Sequence, residues 1–187
     1  MPKEYSPDQR RVLTEQIYNQ ISLHGIKSYS MDQLAKDLQV SKKTVYKYYQ
    51  NKETLIKSMM NQFTDELLHV ELPKPVSFGD VSQTIHLAIQ QAIKISRTFA
   101  DGFVEELHEV YPSIYDDYQR NLDQFYKLII DWLNEAAELG VTAKVDNEVV
   151  ALIPPTMLPV FRRFYSEEDF DKHVENFEKL VIKMLKP

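Results

Sequence analysis

The chain of 187 residues contains no cysteine, which excludes disulfide staples and thiolate-bound zinc and suits a reducing compartment. Glycine is scarce as well. Its four copies, at 25, 79, 102 and 140, are too dispersed for a loop that cradles phosphates, and neither a Ser-His-Asp order nor an H-E-x-x-H run is present. Long apolar runs are missing. The longest mostly apolar stretch, Val149 to Phe161, is too short to span a bilayer and is interrupted by Pro154, Pro155 and Pro159. The opening MPKEYSPDQRR is polar and carries no apolar signal core. These absences lead us to expect a cytoplasmic protein without a membrane partner or a cofactor.

Positive charge is also in deficit, but unevenly. The formal net charge is −6, yet residues 1–57 hold ten Lys/Arg against six Asp/Glu, a balance of +4. The remainder holds twelve against twenty-two, a balance of −10. A basic head on an acidic body directs any phosphate-seeking field to one end.

What is present is helical periodicity throughout, with no segment that reads as a strand. The most informative stretch runs from Ser30 to Leu55, SMDQLAKDLQVSKKTVYKYYQNKETL. Ser30 with Gln33 has capping-box spacing, and Leu34, Ala35 and Leu38 fall on one helical face. Ser41 offers a second N-cap for a short helix from Lys42 to Tyr49, with Thr44, Val45 and Tyr48 on its inner edge. Two short helices joined by a tight turn form a helix-turn-helix, whose second helix can enter a major groove. A helix from Pro7 or Asp8 to His24, with Leu13, Ile17 and Ile21 in steps of four and Gly25 as its stop, would brace them.

From Gly25 through V-S-K-K-T-V-Y-K-Y-Y-Q-N-K-E-T-L, this region resembles the TetR family of bacterial regulators over roughly the first third of the chain. Two positions depart from the family pattern, which commonly has Gly at Gln39 and at Lys43. Gln39 must then adopt a backbone conformation that Gly reaches at lower cost. The resemblance implies a double-stranded operator as partner, contacted by Lys42, Lys43, Thr44, Tyr46, Lys47 and Tyr48, with Lys52 clamping the backbone. The chemistry agrees. Lysine can donate to guanine O6 and N7, a threonine methyl can meet thymine, and tyrosine hydroxyls can donate to phosphates. Tyr49 reads as packing.

The rest reads as six further helices: Lys52 onward through Leu68, Val81 to Phe99, Phe103 to Val110, Pro112 to Leu139, one from Asp146 or Asn147 that should kink at its prolines, and one opened by Ser166 with Asp169. Glu71 to Asp80 reads as a connecting loop. The expectation is therefore an all-α protein of about nine helices, a three-helix head (residues 1–54) with a larger helical-bundle body (55–187). The resemblance places dimerisation on the last two helices and a small effector in the body. Phe170, Val174, Phe177, Val181 and Met184 form a seam in steps of four and three, the expected homodimer interface. Phe103, Tyr118, Phe125 and Trp132 are the expected lining of an effector pocket beside the proline-rich helix, for an apolar or cationic molecule.

Two other readings compete with release by an effector. The body could bind a protein partner instead. Alternatively, Glu66-x-x-His69 and Glu105-x-x-His108 carry the ligand spacing of di-metal bundles, which also need two further inward carboxylates.

Overall fold

A computed structural model describes residues 6–100 and 102–187, with residues 7–10 described by backbone alone. Nine helices and no strand occur among the described residues. They are α1 Pro7–His24, α2 Met31–Asp37, α3 Lys42–Tyr48, α4 Lys52–Leu68, α5 Phe78–Thr98, α6 Phe103–Val110, α7 Pro112–Glu138, α8 Asn147–Phe164 and α9 Glu167–Met184. The stops and starts have local causes. Gly25 and Gly140 take positive φ, 83° and 71°, just past α1 and α7. Ser30, Ser41 and Ser166 accept the backbone N–H three residues on, at 3.1, 3.1 and 3.2 Å.

One start differs from the sequence expectation. Helix α5 begins at Phe78, inside the stretch that reads as a loop. Ser77 and Asp80 cap it reciprocally, with Ser77 N–H donating to the Asp80 carboxylate at 2.8 Å and Asp80 N–H to Ser77 Oγ at 3.3 Å. Gly79 masks this box in the sequence, because a glycine in the first turn reads as a breaker.

The chain forms two compact units: residues up to 66 with 98–121, and residues 67–97 with 122–187. The first unit is thus larger than a head of residues 1–54. It has one core of Leu13, Ile17, Ile21, Leu34, Val45 and Leu55, all buried. A second cluster lies in the same unit, where Phe99 stacks on Phe103 at 4.4 Å and meets the edge of Phe63 at 5.0 Å. Tyr118 joins it 6.4 Å from Phe63. Each such side chain stabilises the fold by about 1.5–3 kcal/mol through burial. This apolar payload is what makes α6 and the start of α7 part of the first unit.

The second unit packs α5, most of α7, α8 and α9. Buried positions recur every three to four residues on each helix, from Ile85, Ile89 and Ala92 on α5 to Phe170, Val174, Phe177 and Val181 on α9. Trp132 is buried and donates its Nε1–H to the Pro73 carbonyl at 2.5 Å. The polar edge of α5 faces α9: His86 Nδ1 lies 3.0 Å from Glu178, and Arg97 reaches Glu167 and Asp171 at 2.9 and 3.1 Å. Arg97 also covers the Phe170 ring at 4.7 Å. Partly exposed ion pairs of this kind contribute little singly, so burial holds the unit together. Here the seam on α9 needs correction. Phe170, Val174, Phe177 and Val181 are already covered within one chain, Phe177 packing edge-to-face on Phe161 at 6.0 Å, while Met184 is exposed. The seam is thus mostly core of one protomer, and of its five residues Met184 alone remains on the surface.

Candidate nucleic-acid interface and interior cavity

Helix α3 is anchored from below. Val45 is fully buried, and Thr44 is buried with its Oγ1 2.8 Å from Ser41 Oγ. Tyr49, just past the helix, is buried with its hydroxyl 3.1 Å from Thr14 Oγ1. Burial of alternate turns on one side leaves Lys42, Lys43, Tyr46 and Lys47 exposed on the other. Lys42 is tied to Asp32 of α2 at 2.5 Å, which fixes one ammonium beside the turn. Tyr46 is 46% exposed, unusual for so large a ring, and Tyr48 is half-buried. The turn between α2 and α3 pivots on Gln39, whose φ of 55° lies in the left-handed region. That is the conformation expected where a glycine is commonly found, and it costs a side-chain-bearing residue about 1–2 kcal/mol.

Helix α2 is fixed by a small network. Tyr29 donates its hydroxyl to Asp37 at 2.6 Å, and the Gln33 amide donates to the other carboxylate oxygen at 2.7 Å. The Tyr29 hydroxyl bond holds the Asp37 carboxyl below its usual range. Burial, with that carboxylate beside it, pushes the Tyr29 phenol up to about 12.

Two placements differ from the sequence expectation. Thr44 is buried, so its methyl is withheld from a base edge. Lys52 is half-buried and donates its ammonium to the Ile26 carbonyl instead of pointing outward. Desolvation lowers its pKa, opposed by the nearby Glu106. Glu106 completes the arrangement, accepting from Ile26 N–H at 2.5 Å and Lys27 N–H at 3.0 Å. One carboxylate from α6 and one ammonium from α4 thus hold both faces of the turn that leads into α2. A Cβ at Gly25 would lie 2.9 Å from that carboxylate, so the glycine serves close approach as well as its φ of 83°. Sequence reading missed Glu106. Its neighbour Glu105 drew notice through the spacing to His108, but nothing in the pattern ties residue 106 to residue 26.

The second unit holds a cavity between α5, α7 and α8. Ile85, Ile89 and Ala92 form one side, Phe125, Tyr126 and Ile129 another, and Val150, Ala151, Pro154 and Pro155 the third. Its volume is about 20 Å³, room for about one water molecule. Tyr126 supplies the one polar side chain, and burial with Asp123 nearby pushes its phenol up to about 12. Of the four residues expected to line a pocket, Phe125 does so here. Phe103 and Tyr118 belong to the aromatic cluster of the first unit, and Trp132 is held at Pro73. No three His, Asp or Glu side chains gather closely enough to hold a metal ion among the described residues, and His108 instead packs on Tyr115 at 4.5 Å.

Residues 13–59 match the profile of the bacterial regulatory proteins of the tetR family. Several solved structures share the fold at low sequence identity. A regulatory protein of the tetR family from Rhodococcus RHA1 aligns with a TM-score of 0.72 at 17% identity, covering 97% of this chain and 98% of that one. The ketosteroid transcriptional regulator KstR2 of Mycobacterium tuberculosis aligns at 0.71 and 13% identity, covering 100% of both chains. The fatty acid degradation regulator FadR from Bacillus halodurans aligns at 0.65 and 17%, covering 96% and 97%.

The head matches the TetR-family profile, and the chain shares the fold of TetR-family structures along its length. No curated protein matches it in sequence. Within the matched residues α2 and α3 form the helix-turn-helix. No helix among the described residues is long and apolar enough to cross a membrane.

The C-terminal helices of the TetR-like body carry a second feature that the seam on α9 concealed. Their outward sides expose Val149, Leu152, Val160 and Phe164 on α8, and Leu180 and Met184 on α9. Phe164 is 71% exposed and Leu180 55%. The spacing was available in the sequence. Choosing between two apolar stripes on one helix required knowing which of them the chain itself covers.

Proposed function

We propose that the protein is a dimeric transcriptional repressor that binds a near-palindromic operator through α3 and leaves it when a small molecule enters the body. The observation that carries this reading is the two-sided character of α3: Thr44 and Val45 are buried in the head while Lys43, Tyr46 and Lys47 are exposed. Lys43 in the first turn suits a base edge, and Tyr46 with Lys47 suits the flanking phosphates. Lys42 can add a phosphate contact on leaving Asp32, whereas Lys52 supports the turn behind the interface. Two copies would meet on the outward stripes of α8 and α9, since an apolar surface containing Phe164 and Leu180 is costly to leave in water. A two-fold axis there would match a palindrome.

Neighbours in fold include a ketosteroid regulator and a fatty acid degradation regulator, names that refer to largely apolar small molecules. An interior cavity with apolar walls supports the same kind of effector here. Its present size, about one water molecule, favours the other reading, in which the body answers to a protein partner.

Selection from random double-stranded DNA tests the proposal. The expected product is an enriched palindrome, bound by the dimer and not by Leu180→Glu, which should be monomeric and bind on the order of 10²–10⁴-fold more weakly. Lys43→Ala should relax the base preference at one position of each half-site. A selection without an enriched palindrome overturns the operator reading, and a Leu180→Glu protein that remains dimeric moves the interface elsewhere.

A further inference from the structure

The wall that α8 gives the cavity is chemically unusual. Residues 154, 155 and 159 are prolines inside a continuous helix. A helical carbonyl is satisfied by the N–H four residues on, and proline has none. The carbonyls of Val150 and Ala151 therefore lack their helical donors at Pro154 and Pro155. The nearby Thr156 hydroxyl does not replace them, because it donates to Leu152 and Ile153, at 3.0 and 2.8 Å. Val150 and Ala151 are both buried, and both belong to the cavity wall. Opposite them, on α7, Tyr126 is a phenol that burial keeps neutral. One turn beyond Ala88 on α5, Gln91 buries its Oε1 without a side-chain or backbone partner. Two backbone acceptors on the cavity wall thus lack the N–H that an unbroken helix would offer them. No Lys, Arg, His, Asp or Glu lies on its wall.

We infer that the cavity takes an uncharged, mostly apolar molecule carrying at least one hydrogen-bond donor, which satisfies the carbonyls that the proline pair strips of their helical partners. This rests on the reading that the body senses a small molecule, and it names the class of that molecule. An anion would be buried without a cation, and a cation without a carboxylate, both at high cost in an apolar wall. An apolar molecule without a donor would fill the space but leave the carbonyls unpaired, losing the gain that a buried hydrogen bond gives. Entry must widen a space that now holds about one water. A helix that lacks three of its backbone hydrogen bonds is the wall that yields at least cost.

The test compares four probes of similar length against the full chain: 1-octanol, heptyl methyl ether, octanoate and octylammonium. Binding is read from the methyl resonances of Ile85, Ile89 and Ile129, and sensing from release of the selected operator. Octanol should bind about tenfold more tightly than the ether, a preference of the size one buried hydrogen bond gives, and the two ions should not bind. In the Pro154→Ala/Pro155→Ala variant, which restores both N–H donors and favours helix, octanol should fall to the level of the ether. An ion that binds as well as octanol overturns the inference, as does an octanol preference that survives in the double variant, or four probes that leave the methyls unmoved. The effector reading is judged separately. Octanol that fills the cavity without loosening operator would overturn that reading and leave the ligand class standing. An ether or ion that binds and releases operator would do the reverse.

Discussion

The two units place their chemistry on opposite sides of their surfaces. In the first, the candidate function is displayed outward on a seven-residue helix, and the interior serves to hold that helix still. In the second, the candidate function lies inward, in a space about the size of a water molecule. The first unit is organised by short-range rules: a cap, a turn, an alternation of buried and exposed residues within a few positions. The second depends on which faces of four helices meet, so residues far apart in sequence decide whether a side chain is core, wall or surface. A helix-turn-helix can accordingly be found from one chain, while a pocket can only be suspected.

The contrast breaks first, and hardest, at Phe177. If α9 turns its apolar seam inward, Phe177→Ala leaves a void in the second unit and should cost about 3–5 kcal/mol, measured by urea unfolding with Trp132 fluorescence. Trp132 is the lone tryptophan and lies in that unit. A cost under about 1 kcal/mol would return Phe177 to the surface.

Glu106 tests whether the head is as self-contained as its sequence suggests. Glu106→Ala strands the Ile26 and Lys27 amides and should weaken the first unit by about 1.5–3 kcal/mol, the range for hydrogen bonds to a charged group. Hydrogen exchange should quicken at those two amides. Glu105→Ala, one position away and exposed, is the control and should leave exchange unchanged.

A smaller effect, of opposite sign, is expected at the turn. Gln39→Gly removes the strain of a left-handed side-chain-bearing residue and should raise the thermal stability of the head by up to about 1 kcal/mol, part of the gain being lost to the entropy of glycine in the unfolded chain. A loss of stability would mean that the Gln39 side chain contributes more than its strain costs.

The smallest effect is a dependence on pH. Tyr29 and Gln33 bond the ionised form of Asp37 and depress its pKa. A carboxyl depressed by folding contributes stability that is present above its ordinary range, near pH 4, and is lost as pH falls through the lowered value. Asp37→Asn should flatten that acid limb in a stability profile, most visibly in low salt since the group is exposed. An unchanged profile would show that the Tyr29 contact is equally good to the protonated acid.

Much of the fold was legible because helices announce their ends locally. Ser30, Ser41 and Ser166 each cap the expected helix, and Gly25 and Gly140 each stop one. The left-handed turn at Gln39 was legible too, since the helix-turn-helix geometry demands it whichever residue occupies the position. The start of α5 was not, because Gly79 spoke against helix while the Ser77–Asp80 pair, read alone, spoke for it. At the candidate interface the sequence marked the exposed lysines of α3 but not the inward turn of Thr44 and Lys52.

By itself, then, the sequence determined an all-helical chain, the position of its helix-turn-helix and the concentration of positive charge at one end, because caps, periodicity and composition act over a few residues. Tertiary structure decided the rest. It chose which stripe of α9 is core and which is surface, brought Glu106 across eighty positions to the Ile26 amide, and set Phe125 and Tyr126 against a proline-bearing wall. Packing of that kind depends on the complementarity of whole helix faces, which several apolar patterns satisfy equally well until the partners are known.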